Sequence, residues 1–224
     1  RSVYIGGRFN SVDGVAQHKV ARLSIEDGRP LPFASGVDAV VTAMALQGDR
    51  LYIGGVFHTV QGQQRRLAAL DADTGRLVEE VDPEVSGTHR GGAGKIWRIE
   101  PSPDGEHLLV VGSFSHVGGQ PRNQVVQLDT AGDGNVRVSS WSTTAFSGYC
   151  ASFSDYVRDV SYSPDGAYFV VVTTGAKGSG LNGTCDSVTR WEDDGTGDAV
   201  PTWIEYSGGD SYYSVEVTGA AISV

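Results

Sequence analysis

Leu51 to Gly75 reads LYIGGVFHTVQGQQRRLAALDADTG, and the chain spells the same sentence on either side of it. Val3 to Gly28 reads VYIGGRFNSVDGVAQHKVARLSIEDG, and Leu108 to Gly134 reads LLVVGSFSHVGGQPRNQVVQLDTAGDG. Each copy runs through a hydrophobic strand, a glycine, a Phe two residues on, a polar turn, a second apolar strand and a turn of acidic residues and glycine. Aligned on the short strand, the copies begin at Val3, Leu51, Leu108, Phe169 and Ile222, which are 48, 57, 61 and 53 residues apart. Periods of this length correspond to one four-stranded sheet per repeat.

Each copy after the first is preceded by another apolar strand and a tight turn. These are Thr42–Leu46 before Gly48-Asp49, Ile96–Glu100 before Pro103-Asp104-Gly105, Val157–Tyr162 before Pro164-Asp165-Gly166, and Tyr213–Val217 before Gly219. Pro presets the first central residue of a turn and Asp-Gly accepts the left-handed one, so these read as hairpins. In the second copy the four strands are Thr42–Leu46, Leu51–Phe57, Arg66–Asp71 and Arg76–Val81. The third strand closes at Asp27-Gly28, Asp73-Thr74-Gly75, Gly132-Asp133-Gly134 and Asp194-Gly195. No 3.6-residue period persists for three turns, which leaves helix minor or absent.

A lone twisted sheet cannot bury both of its faces, whereas sheets packed radially face to face can. Leu108–Val111 and Phe169–Val172 are unbroken apolar runs, as strands covered on both faces require. The expected fold is all-β, a β-propeller of about four four-stranded blades plus the start of a fifth, with residues 1–224 forming a single incomplete propeller domain. A β-sandwich, the main rival, gives no reason for the four-strand sentence to repeat. Ile222–Val224 repeats the role of Val3–Ile5, so an open arc is expected, continued by missing blades or another chain. A closed ring would instead pair Tyr213–Val217 with Val3–Gly7. Since Arg1 already lies on a strand and Val224 in the first half of another, both ends are expected to be cuts in a longer polypeptide.

Hydrophobic residues at 39% and 31 glycines give a globular, turn-rich composition. A net charge of −10 argues against nucleic acid or an anionic membrane as principal partner, since both reward clustered Lys and Arg. No run of 18 apolar residues offers a membrane-spanning helix. Cys150 and Cys185 lie in the two most irregular Gly/Ser-rich segments, where a cross-link restricts the most loop freedom. A disulfide there implies export to an oxidising compartment, and two unrelated buried thiols are the alternative.

The Gly-Gly-x-Phe pattern, Leu67-Ala68-Ala69-Leu70-Asp71 followed by Thr74-Gly75, and the Ser-Pro-Asp-Gly turns at 102–105 and 163–166 resemble the repeats of secreted bacterial β-propellers of actinobacterial type. Cys185–Glu192 and Tyr213–Ala221 extend the likeness over essentially the whole chain. Such propellers are often joined to PKD-like modules. The resemblance implies a secreted, extracellular protein and brings no catalytic residues with it. The fourth copy departs from the pattern, with Val172-Thr173-Thr174-Gly175 in place of Gly-Gly-x-Phe, and the third lacks the first glycine.

Several segments invite a chemical reading. Asp71–Gly75, Asp129–Asn135 and Glu192–Asp198 place carboxylates on short Gly-containing loops of the kind Ca²⁺ uses, with Glu192 to Asp198 the best of them. None completes an EF-hand loop, and Asp and Gly are also what turns require. The five histidines show no i,i+4 or H-x-H pattern, so no metal ligands are assigned. Gly87–Lys95 contains phosphate-friendly residues but lacks a strand-to-helix context. No nucleophile elbow, Walker loop or zincin motif occurs, and no catalytic residue or cofactor is assigned.

The sharper candidate is aromatic. Trp141, Tyr149, Phe153, Tyr156 and Tyr212 sit in the polar connections flanking the fourth copy, where aromatic faces beside hydroxyls and amides suit a carbohydrate, a peptide or a protein partner. The function expected is therefore an extracellular binding or scaffolding propeller acting through its loops. Burial of individual rings as caps on the core is the competing reading. The other class is a hydrolase or lyase with its active site in the central channel, built from Arg98, Glu100, Arg158, Asp159 and Glu216, and salt-bridged lining explains the same charges.

Overall fold

The structure, a computed structural model, describes residues 1–91, 94–130, 135–176, 184–194, 196–219 and 222–223. Apart from one 3₁₀ turn at His89–Gly91, the described residues form strands and turns. Four main sheets follow one another along the chain. The first holds Ser2–Gly6, Val20–Ser24 and Pro30–Leu31, and the second Val41–Gln47, Arg50–Gly55 and Leu67–Asp71. The third holds Ile96–Pro101, His107–Gly112, Val125–Asp129 and Arg137–Val138. The fourth holds Val157–Tyr162, Tyr168–Thr173, Ser187–Glu192 and Trp203–Tyr206. Glu216–Val217 paired with Ile222–Ser223 opens a fifth.

Alternation along each strand sends successive side chains to opposite faces, and here both faces are covered by a neighbouring sheet. Leu108 and Val110 join the core shared with the second sheet, whereas Leu109 and Val111 join the core shared with the fourth. Phe169 and Val171 face back toward the third sheet while Val170 and Val172 pack on Val215 and Val217 of the fifth. The inner strands stand side by side in sequence order, as a propeller requires. Val3–Gly6 pairs with Val20–Leu23 and Glu216–Val217 pairs with Ile222–Ser223, so these two segments lie in separate sheets and the arc does not close between them. Val3, on the face of the first sheet turned away from the second, is 46% exposed.

The Gly-Gly-x-Phe motif acquires a physical cause at this point. A Cβ on Gly54 would lie 2.4 Å from Cγ2 of Ile96, the first residue of the next inner strand, and a Cβ on Gly6 would meet Met44 Sδ at 2.6 Å. The second glycine serves its own sheet. A Cβ on Gly55 would lie 2.2 Å from the Val40 carbonyl oxygen, and one on Gly112 the same distance from that of Lys95. Both carbonyls belong to the lead-in of a β-bulge that recurs between Val41/Ala43, Ile96/Arg98 and Val157/Asp159. Each bulge leaves one residue, Thr42, Trp97 or Arg158, out of the ladder and re-aims its side chain.

The Ser-Pro-Asp-Gly turns are self-contained. Ser102 Oγ donates to Asp104 Oδ1 at 2.5 Å and accepts from His107 N at 2.9 Å, and Ser163 with Asp165 and Tyr168 repeats the arrangement at 2.6 and 3.1 Å. The hydroxyl bond holds both carboxyls below the usual aspartate range.

Two expected strands are shorter than the pattern implied. Arg76–Val81 contributes only the bridge Leu70↔Leu77, because the chain turns at Val78 and buries Val81 between the second and third sheets. Tyr213–Val217 is a strand only at Glu216–Val217, since the Asp159 carboxylate takes the Val215 N–H at 3.0 Å and the Ser214 hydroxyl at 2.9 Å. Three small hairpins were read as plain turns: Ser11–Val12 with Val15–Ala16, Thr59–Val60 with Gln63–Gln64, and His116–Val117 with Gln120–Pro121. The central pairs Asp13-Gly14, Gln61-Gly62 and Gly118-Gly119 all have positive φ, the type I′ signature of a two-residue hairpin. The turns read at Gly132-Asp133-Gly134 and at Gly195 lie outside the described residues.

Two of the three copies of the second glycine make a matched test. Gly55→Ala forces a methyl into the Val40 carbonyl and should cost about 1–3 kcal/mol in urea unfolding. Gly7→Ala meets only the Phe9 ring at 3.8 Å and should stay within about 0.5 kcal/mol of the parent. Equal losses at the two positions would show that the bulge does not explain the motif.

Candidate functional site

The inner strands start on one face of the arc, and the disulfide lies there. Cys150 and Cys185 are bonded, with S–S 2.01 Å and Cα–Cα 5.7 Å. The bond explains how the fourth copy departs from the repeat: Gly175 stands where Phe57 and Phe114 stand, and a Cβ there would lie 2.4 Å from Cys150 Cβ. Buried Gln124 ties the connecting loop to the third sheet, donating to the Phe146 carbonyl at 2.8 Å and accepting from Tyr156 N at 2.7 Å. Thr184 Oγ1 donates to the Ala145 carbonyl at 3.0 Å from the other side.

These tethers divide the five aromatic candidates. Trp141 and Tyr156 are 0% and 1% exposed and belong to the core between the third and fourth sheets, which corrects their reading as ligand-binding rings. Trp141 meets Phe169 and Trp191 edge-on at 5.3 and 5.8 Å, and burial pushes the Tyr156 phenol up to about 12. Tyr212 packs half-buried against the core between the fourth and fifth sheets, away from the others. Tyr149 and Phe153 remain, 47% and 40% exposed, on either side of Cys150.

Around these two rings the fold gathers cations. The Arg90 guanidinium lies over the Tyr149 ring at 3.3 Å, and a shallow basin of about 360 Å³ is bounded by Arg90 and Cys150–Ser154. Trp97 and Arg158, the bulge residues of adjacent inner strands, come together with the guanidinium carbon 5.6 Å from the Trp97 ring. The same guanidinium carbon lies 5.5 Å from Phe153, and Lys95 Nζ lies 5.0 Å from Trp97. Asp155 orders the group, accepting from Trp97 Nε1 at 3.2 Å and pairing with Arg158 at 3.4 Å. Neither Arg90 nor Lys95 has a carboxylate partner among the described residues. Sequence reasoning missed Trp97, Lys95 and Arg90 as members of this site. Aligning the inner strands reveals Trp97 and Arg158 at one repeat position, and that was the available signal.

At the opposite ends of the inner strands, Arg98, Glu100, Asp159 and Glu216 line a cavity of about 420 Å³, and Arg158 is not among them. Arg98 bridges Glu100 at 2.7 Å and Asp159 at 3.3 Å. Asp159 also accepts from Val160 N, Ser214 Oγ and Val215 N, so its oxygens are engaged in holding the third, fourth and fifth inner strands together. Burial, against the pull of Arg98, raises the Glu100 carboxyl above the usual range.

The acidic loops meet the needs of turns and sheet contacts. Asp71 Oδ1 accepts from Thr74 N and Thr74 Oγ1, Asp193 from Gln127 and Tyr162, and Asp198 from Thr144. Among the described residues no group of three or more His, Cys, Asp or Glu side chains is placed to hold a metal, and residues 131–134 and 195 of two of these loops lie outside the description. No described helix is long and apolar enough to cross a membrane.

A family described as "Domain of unknown function (DUF5122) beta-propeller" matches residues 103–136. No curated protein matches the chain. Among solved structures, the computationally designed Ika8 protein is similar at 12% identity with a TM-score of 0.54, covering 91% of this chain and 48% of its own. The β-propeller domain of Myceliophteria thermophila Cps50 (Swd1) is similar at 14% identity and TM-score 0.48, covering 91% of this chain and 55% of its own. The chain thus spans about half the length of the solved structures it matches. The fold is a β-propeller.

Ring burial yields a direct comparison. Trp141→Ala should destabilise by about 3–5 kcal/mol, whereas Tyr149→Ala should cost under about 1 kcal/mol, both read by denaturant unfolding. Replacing Cys150 and Cys185 together by Ser opens a loop with a sequence separation of 35, and a loss of about 3–4 kcal/mol is expected. A double variant as stable as the parent would remove the disulfide from the account of this face.

Proposed function

We propose that this chain is an extracellular binding module whose loop face takes a carboxylate-bearing segment of a protein or peptide partner. The observation that carries the reading is the arrangement of rings and cations around the disulfide, with Arg90 over Tyr149 at 3.3 Å and Lys95 beside Trp97 at 5.0 Å. A guanidinium resting on a ring is held in place and keeps its forked N–H donors free for a carboxylate. Rigid aromatic and arginine side chains anchor interfaces because they bury much area for few lost rotors. A sugar ring needs a bare aromatic face, and Arg90 already covers one face of Tyr149. That favours a peptide over a carbohydrate. The local basic character stands against a chain of net charge −10, which steers an acidic partner to this face and away from the rest.

The disulfide supports export to an oxidising compartment. The channel charges support a catalytic reading less well, because Arg98 and Asp159 are spent on one another and on neighbouring strands. The uncovered face of the first sheet, with Val3 exposed and space left beside Gly7, is where we place the continuation of the arc by further blades or another chain.

Binding to an array of acidic and neutral peptides, run beside an array of neutral and acidic glycans, tests the proposal. Acidic peptides should be retained, and affinity should fall with added salt. Phe153→Ala and Lys95→Gln should each weaken retention about tenfold or more while the melting temperature moves by no more than about 2 °C. Retention of glycans alone, or peptide binding indifferent to both substitutions, would overturn it.

A further inference from the structure

In the fourth sheet the glycine and Phe of the repeat give way to a buried polar nest. Thr173, Thr174, Thr184, Asp186 and Ser187 are all between 0% and 3% exposed. The hydroxyl hydrogens are engaged with one another and with carbonyls, which leaves oxygen lone pairs to accept. Ser187 Oγ donates to the Thr184 carbonyl at 3.0 Å, Thr173 Oγ1 to the same carbonyl, Thr174 Oγ1 to Ser211 Oγ, and Thr184 Oγ1 to the Ala145 carbonyl at 3.0 Å. The Asp186 main chain is likewise engaged: its N–H points to the Thr174 carbonyl at 3.4 Å and its carbonyl accepts from Ser207 N at 3.0 Å. Its carboxylate is different. Both Oδ1 and Oδ2 are buried, and neither has a hydrogen-bond partner among the described residues.

An ionised carboxylate out of water and without a donor is among the most costly groups a fold can contain. No basic side chain forms an ion pair with Asp186 among the described residues. The buried residues of the nest, Thr173, Thr174, Thr184 and Ser187, carry hydroxyl and main-chain carbonyl oxygens, which are ligand types that suit a hard metal cation. The backbone at Asp186 is fixed in a left-handed conformation, φ +47°, between the disulfide-bonded Cys185 and the strand Ser187–Glu192.

We infer that Asp186 is the anionic ligand of a cation site in this nest, taking Ca²⁺ or Na⁺ with hydroxyl and carbonyl oxygens completing the shell. One carboxylate balances a monovalent charge and binds a divalent one in the millimolar range typical of extracellular modules. The nest adjoins Cys185 in the chain and shares no residue with the three acidic loops.

The test uses EDTA-treated protein in choline chloride. Melting should shift upward by about 3 °C or more at 5 mM CaCl₂, or on exchanging choline for sodium, and the two titrations tell the cations apart. Asp186→Asn keeps the shape and should abolish the response to both. Should that variant fail to fold, calorimetric titration of the parent with CaCl₂, and its melting in sodium against choline, still decide the matter. A parent indifferent to both cations, an equal response in Asp186→Asn, or a variant more stable than the parent in every salt would overturn the inference.

Discussion

The second, third and fourth sheets of this chain bury both of their faces, and the rest of the structure depends on that constraint. A single four-stranded sheet exposes two apolar sides, so each can be stable only between two others. The strand His107–Gly112 shows the consequence at residue level, sending Leu108 and Val110 to one core and Leu109 and Val111 to the next. Close approach of neighbouring sheets then demands residues without side chains at the crossing points. Gly54 admits Ile96 from the adjacent inner strand, and Gly55 admits the bulged backbone of its own. Where the third copy has Val111 in place of the first glycine, the facing inner strand begins with Val157 in place of Ile96, and the two share one core.

The same architecture sets out the proposed binding surface. A bulge recurs in the inner strands of the second, third and fourth sheets, and it turns one side chain of each out of the ladder. Nothing in the packing dictates what that side chain is. It is Thr42 in one sheet, Trp97 in the next and Arg158 in the third, and the last two form the floor on which the disulfide loop sets Phe153. Chemistry enters this fold at positions left over by packing, so the proposed recognition rests on the variable residues of the repeat and not on its shared spelling.

The architecture was legible in the sequence for a simple reason: a repeat states its own boundaries, and unbroken apolar runs state that both faces are covered. Pairing of Cys150 with Cys185 was legible from their placement in two irregular loops. The aromatic loop was only half legible. Trp141 and Tyr156 stand in a stretch as rich in Ser and Gly as the one around Tyr149, and local composition cannot tell a ring that folds under from one that stays out. What separates them is tertiary: Gln124, thirty-two residues before Tyr156, pulls its backbone into the core. The hairpins at Asp13-Gly14 and Gly118-Gly119 are legible from their dipeptides alone, whereas Gln61-Gly62 carries no such signal.

Because each core is shared by two sheets and contacts run only between neighbours, the energetics of the arc are those of a linear array. An inner sheet loses two interfaces when it opens, whereas the first sheet, until a further blade or another chain covers the face that carries Val3, loses one. Cooperativity in such an array propagates from unit to unit and decays with distance, so the ends fray before the middle. Amide protection of this arc should therefore grade along the chain, lowest in Ser2–Gly6 and highest in His107–Gly112 and Tyr168–Thr173, with the proposed binding surface anchored to the part that opens last.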